Sequence, residues 1–163
     1  MKTLILDTSA FITGFQPVPD QDNYTVSGVL DEIKNQGLRL KVELFLKSGL
    51  LKIIEPSDSA KSNTKKIAEK SGDISALSAT DLNLLALASE LRKRGLKVSI
   101  VTDDYGVQNV ASLLSISFMP LAERGIKKVI IWKNICIACK KKFPPDFKEE
   151  CTFCGSKLKM VKA

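Results

Sequence analysis

Histidine is absent from the chain. That absence removes every mechanism built on an imidazole base, the Ser/His/Asp and Cys/His arrangements among them, and the His-ligated zinc hydrolases. Neither G-x-S-x-G nor G-x-x-x-x-G-K-[ST] occurs, so no motif points to a serine hydrolase or a nucleotide cofactor. No apolar run approaches the length of a membrane span. The start, MKTLILDTSAF, carries acid too early for a signal peptide. A soluble, cytoplasmic protein with no membrane partner is expected. Cysteine is scarce: there are four, none before residue 136.

What is present suits one ordinary domain with a small appendage. The chain has 163 residues, of which 44% are hydrophobic, enough for a core. Charge is placed unevenly. Residues 1–120 hold 14 Lys and Arg against 14 Asp and Glu, whereas residues 121–163 hold 11 against 4. The whole net charge of +7 therefore sits on the last stretch. A neutral body with a basic tail-piece is the pattern of a protein that meets a polyanion.

Apolar patterning predicts alternating strands and helices. Lys2–Leu6, Leu50–Ile54 and Val98–Thr102 read as strands, with shorter extended pieces at Tyr24–Val26 and Ile116–Phe118. Val29–Lys47 reads as two helices divided at Gly37, with Ser27 as a cap. Ser57–Ser71 reads as a polar surface helix whose apolar face is only Ile67 and Ala68. Ser78–Arg94 is the clearest helix, stopped by Gly95, and Tyr105–Leu114 follows. Strands alternating with helices argue an α/β fold, a parallel sheet covered on both faces. After Pro120 the character changes. The expected division is a body over 1–120, a charged connector over 121–128 and a small β unit over 129–163.

That last unit carries Cys136-x-x-Cys139, eleven residues, then Cys151-x-x-Cys154-Gly155. Two thiolate pairs at this spacing suit one tetrahedral metal, zinc or iron. Zinc is expected, structural rather than catalytic because all four positions are filled by protein. Disulfides do not suit an intracellular chain. Lys140, Lys141 and Lys142 sit between the pairs, and Lys157 and Lys159 follow. Trp132, Phe143, Phe147 and Phe153 lie among them. Lysines grip phosphates and aromatics stack bases, so RNA is the expected polyanion. Two of those four aromatics are expected in the core of the ribbon.

The body places acids where a site belongs. In parallel α/β sheets, ligands gather outside the carboxyl ends of the strands. Asp7 closes the first strand, and Asp103 and Asp104 close the strand over 98–102. Capping of the next helix explains one acid of that pair, not both. Asp81 also completes a capping-box pattern with Ser78. Glu32 falls on an early helix.

The order Asp7, Glu32, Asp81 in TDLNLLALA, then TDDYG after a strand resembles the PIN-domain nucleases over roughly residues 1–120. With the four-cysteine ribbon the resemblance is closer to the Nob-type endonucleases of ribosome maturation, in a compact archaeal-like form. It implies a PIN-like sheet plus a zinc ribbon. It also implies Mg²⁺- or Mn²⁺-dependent cleavage of single-stranded RNA, with Asp7, Asp81 and Asp104 as metal ligands. Asp103 stands as the alternative to Asp104, and Asp31 as the substitute for Glu32. Thr8, Ser9 and Thr102 would support the carboxylates. The implied substrate is the precursor of small-subunit ribosomal RNA near its 3′ end, and the implied partner is the immature small subunit. The rival expectation is a non-catalytic RNA-binding adaptor in ribosome assembly.

Overall fold

The computed structural model describes every residue except Met1, Glu123 and Lys148. A five-stranded parallel sheet forms the body, in the order β3-β2-β1-β4-β5. Its strands are β1 (Lys2–Leu6), β2 (Asp22–Thr25), β3 (Lys52–Ile53), β4 (Lys97–Val101) and β5 (Ser117–Met119). Leu4, Ile5 and Leu6 of β1 and Ile100 and Val101 of β4 are buried, as β-branched and leucine-rich runs in a two-sided sheet must be. The chain builds outward from β1 through β2 to β3, then returns to the other side of β1 as β4. The switch point of the topology therefore lies between β1 and β4, where such sheets bind ligands. Their carboxyl ends carry Asp7 and Thr102–Asp104.

Among the described residues six helices connect these strands: α1 (Thr8–Ile12), α2 (Ser27–Glu32), α3 (Gln36–Lys47), α4 (Asp58–Ser71), α5 (Ala79–Lys93) and α6 (Tyr105–Leu113). Asp73–Ser75 forms a short 3-10 turn. α5 buries Leu84, Leu85, Leu87 and Leu91. The α2–α3 break falls at 33–35 rather than at Gly37. Asn35 supplies the reason: its side chain accepts from Leu38 N–H at 2.9 Å and caps α3, leaving Gly37 inside the helix. The cap of α2 is Val26, with Ser27 its first residue. α4 also differs from expectation. Its buried face is Ala60, Thr64, Ala68 and Ser71, small residues that let it lie close against its neighbours.

The second sheet is antiparallel, in the order β7-β6-β8. It comprises β6 (Trp132–Cys136), β7 (Lys142–Phe143) and β8 (Leu158–Lys162). Phe143 and Phe147 stack with centroids 4.9 Å apart, whereas Phe153 is 65% exposed. Trp132 faces the body instead. Its indole Nε1–H donates to Asp73 Oδ1 at 3.1 Å. Asp73 is itself buried and also accepts from Ser71 Oγ and Asn109 Nδ2. Gly72 ends α4 at φ +86°, and a Cβ there would lie 2.6 Å from Trp132 Cβ. Only glycine permits both that turn and that approach. Among the described residues no helix is long and apolar enough to cross a membrane.

Candidate active site and metal centre

Asp7 organises the first site. It leaves β1 and caps α1, and it is 4% exposed. Three donors hold its carboxylate: Thr8 N–H at 2.6 Å, Ser9 Oγ at 2.8 Å and Thr102 Oγ1 at 2.7 Å. Burial nevertheless pushes the Asp7 carboxyl above the ordinary carboxylate range, against those three bonds, and the Asp104 charge adds to the rise. The Thr102 hydroxyl serves two groups, since it also accepts from Asp104 N–H at 3.1 Å.

Asp104 caps α6 through Val107 N–H at 2.9 Å. Asp81 forms the full capping box with Ser78, Oδ2 accepting from Ser78 N–H at 2.7 Å. Capping does not exhaust its role. Burial raises the Asp81 carboxyl, with the charges of Asp7 and Asp104 contributing. The three acids are therefore near enough to repel one another. Glu32 joins them through Thr8, whose hydroxyl donates to Glu32 Oε2 at 2.6 Å while its N–H holds Asp7. Gly28 lets α2 reach this position. A Cβ there would meet Thr80 Oγ1 at 2.5 Å, so the helix bearing Glu32 and the helix bearing Asp81 come this close because position 28 has no side chain. Asp31 is exposed and carries none of these bonds.

Asp103 points elsewhere. Its Oδ1 accepts from Leu121 N–H at 2.8 Å and Ala122 N–H at 3.1 Å, which ties the start of the connector to the end of β4. Sequence reasoning missed the rest of this clamp. Gln108 is fully buried: its Nε2 donates to Thr102 O at 3.0 Å and its Oε1 accepts from Ile126 N–H at 2.9 Å. Asn109 pairs in both directions with Ile130. The available signal was two adjacent amides at buried positions of an otherwise apolar helix.

The second site is the cysteine cluster. The four sulfurs lie within 4.8 Å of one another. Cys136 Sγ and Cys154 Sγ are 3.4 Å apart, and Cys139 Sγ and Cys151 Sγ are 3.5 Å apart. Tetrahedral zinc with bonds of about 2.3 Å wants sulfurs about 3.8 Å apart, so the cluster is sized to bind one zinc ion. Within the cluster the Ser156 side chain and backbone lower the Cys154 thiol, whereas burial and the neighbouring thiols raise Cys139, so the four sulfurs share their protons unevenly until a metal takes their place. Lys140, Lys141, Lys142, Lys157 and Lys159 are all exposed around this knuckle. Lys141 Nζ lies over the Phe153 ring.

Comparison with known proteins agrees with this architecture. The sequence pattern of the PIN domain of ribonuclease matches residues 4–91. The chain is 44% identical over 161 residues to Endoribonuclease Nob1 of Pyrococcus abyssi, covering 97% of this chain and 92% of that protein. It is 37% identical over 155 residues to Endoribonuclease Nob1 of Methanothermobacter thermautotrophicus, covering 94% and 90%. A 96-residue stretch is 36% identical to the 20S-pre-rRNA D-site endonuclease NOB1 of Saccharomyces cerevisiae, covering 56% of this chain and 20% of that protein.

Proposed function

The chain belongs to the PIN-domain ribonucleases, with the Nob1 endoribonucleases as full-length relatives, and on that footing we propose that it is a divalent-metal-dependent endoribonuclease that matures the 3′ end of small-subunit ribosomal RNA. The carrying observation is the placement of Asp7, Asp81 and Asp104 at the switch point of the sheet, with two of the carboxyls raised by burial and by one another.

Such a cluster is costly without a cation, and hard carboxylate oxygens suit Mg²⁺ or Mn²⁺. Asp7, Asp81 and Asp104 would hold the ion, directly or through water. The ion supplies an activated water and charge stabilisation for in-line attack on a phosphodiester. The protein's own part is orientation. Thr8, Ser9 and Thr102 fix the Asp7 carboxylate in one direction. Glu32, held by Thr8, orients a water at the rim. Asp104 is assigned this role and Asp103 is not, because the Asp103 carboxylate grips the connector.

The ribbon supplies the hold on RNA. Its five exposed lysines face phosphates, and the immature small subunit is the partner that presents them. The test is cleavage of a labelled RNA spanning a small-subunit 3′ end against a scrambled RNA of equal length, in Mn²⁺. A discrete cut in the first and none in the second is expected. Equal, scattered cutting of both would contradict the substrate assignment.

A further inference from the structure

Where α6 begins, body and ribbon enclose a cleft of about 200 Å³. Tyr105, Gly106 and Asn109 line it from the body, and Trp132 and Met160 line it from the ribbon. It is small beside the roughly 300–1,000 Å³ of a drug-sized ligand site, and its size and two aromatic lining residues suit a single ring system. Its floor holds few unspent polar groups. Asp73 is taken by Ser71, Asn109 and Trp132, and the Asn109 amide by Asp73 and Ile130.

Two features tie the cleft to the acids. Tyr105 follows Asp104 directly and is half exposed. Gly106 belongs to both places: it lines the cleft, and a Cβ on it would lie 3.1 Å from Asp104 Oδ1. The cleft therefore adjoins the N-terminus of α6, the turn that Asp104 caps. Trp132 cannot swing away, because Asp73 holds its indole nitrogen and Gly72 packs against its Cβ.

We infer that this cleft is a nucleobase subsite, taking by stacking one base of single-stranded RNA next to the cleaved phosphate. Tyr105, Trp132 and Met160 form its walls. The inference rests on the nuclease reading above. With Asp73 and Asn109 already paired, the subsite recognises mainly the face of a ring rather than its hydrogen-bonding edge, so it selects unpaired RNA over a particular base. It also assigns a purpose to the Asp73 latch, since neither body nor ribbon makes the cleft alone.

The experiment uses the full chain and a short single-stranded RNA in which one abasic nucleotide is walked through the sequence. Two readouts are taken: cleavage rate in Mn²⁺, and emission of Trp132, the chain's single tryptophan, without added divalent ion. One abasic position is expected to lower cleavage by roughly tenfold, the order of one lost base–aromatic stack. Tyr105→Ala should lose roughly tenfold on intact RNA and nothing more at that abasic position. A merely structural Tyr105 would leave the abasic penalty in place. Intact RNA should quench Trp132, and the fully abasic oligomer should not. An unchanged abasic penalty in Tyr105→Ala, with Trp132 indifferent to the bases, would overturn the subsite. Absence of cleavage with base-dependent quenching would instead overturn the nuclease reading and leave the subsite standing.

Discussion

Thr102 Oγ1 donates to Asp7 Oδ2 at 2.7 Å, joining two residues 95 positions apart at the ends of neighbouring parallel strands. The same hydroxyl accepts from Asp104 N–H. One buried oxygen thus sets the position of two acids. Thr102→Val keeps the shape and removes the bond. It is expected to cost about 1–3 kcal/mol of stability, since the buried Asp7 carboxylate loses one of its three donors and the half-buried Asp104 N–H loses its acceptor. It should also lift the Asp7 carboxyl further, because a bond that favours the charged form is gone. The acid limb of the pH–rate profile should therefore move to higher pH. A loss of stability with an unmoved profile would separate Thr102 from Asp7.

Divalent ions should stabilise the body at neutral pH. The folded Asp7 and Asp81 carboxyls lie above the ordinary range. Groups raised in this way favour folding while protonated, and that contribution is lost as pH rises through their folded values. Ionising both sets like charges against one another and against Asp104 in the folded state. Thermal melts should show Mn²⁺ raising the wild-type midpoint more at pH 7 than at pH 4. Asp7→Asn removes one charge and one acceptor oxygen, so whatever its midpoint without metal it should gain less from Mn²⁺ than wild type. Equal gains in both proteins would place the ion elsewhere.

Zinc removal should unfold the ribbon and spare the parallel sheet. The second sheet has three short strands and little core of its own, so metal binding is most of its folding free energy. A competing chelator at pH 7 is expected to shift Trp132 emission to the red as its contact with Asp73 opens. Far-ultraviolet circular dichroism should keep the helical signal of the body. Retention of the Trp132 environment after complete zinc loss would show that the Asp73 latch alone holds the ribbon.

The lysines between the cysteine pairs should set salt dependence. Replacing Lys140, Lys141 and Lys142 by alanine is expected to weaken single-stranded RNA binding and reduce the slope of log K against log salt by about 2, from about 0.7 per lost phosphate contact. The melting temperature should hold, since all three side chains are exposed. An unchanged slope would remove these residues from the interface.

The parts legible in the sequence were those with a period or a spacing. β1, β4, α5 and the two cysteine pairs follow directly from alternation, helical periodicity and metal-ligand spacing, and the acids at the ends of β1 and β4 mark the edge of the sheet. Other features depend on neighbours. The buried face of α4 is Ala60, Thr64, Ala68 and Ser71, residues buried by closeness of packing rather than by hydrophobicity. The α2–α3 break was readable in Asn35, but Gly37 is the stronger punctuation on paper. No local pattern distinguishes Asp103 from Asp104. Only the tertiary path of the connector turns one toward Leu121 and leaves the other beside Asp7 and Asp81. The Asp73–Trp132 bond spans 59 positions and has no sequence signature at all.

The nuclease proposal has the acids at the β1–β4 switch point cut RNA with a divalent ion. Its most direct measurement is cleavage of a labelled single-stranded RNA spanning a small-subunit 3′ end, with and without Mn²⁺, by wild type and Asp7→Asn. Discrete cleavage that requires Mn²⁺ and falls by at least about a hundredfold in Asp7→Asn is expected, with RNA binding unchanged. Tight binding by both proteins with no cleavage by either would contradict the claim and leave an RNA-binding protein.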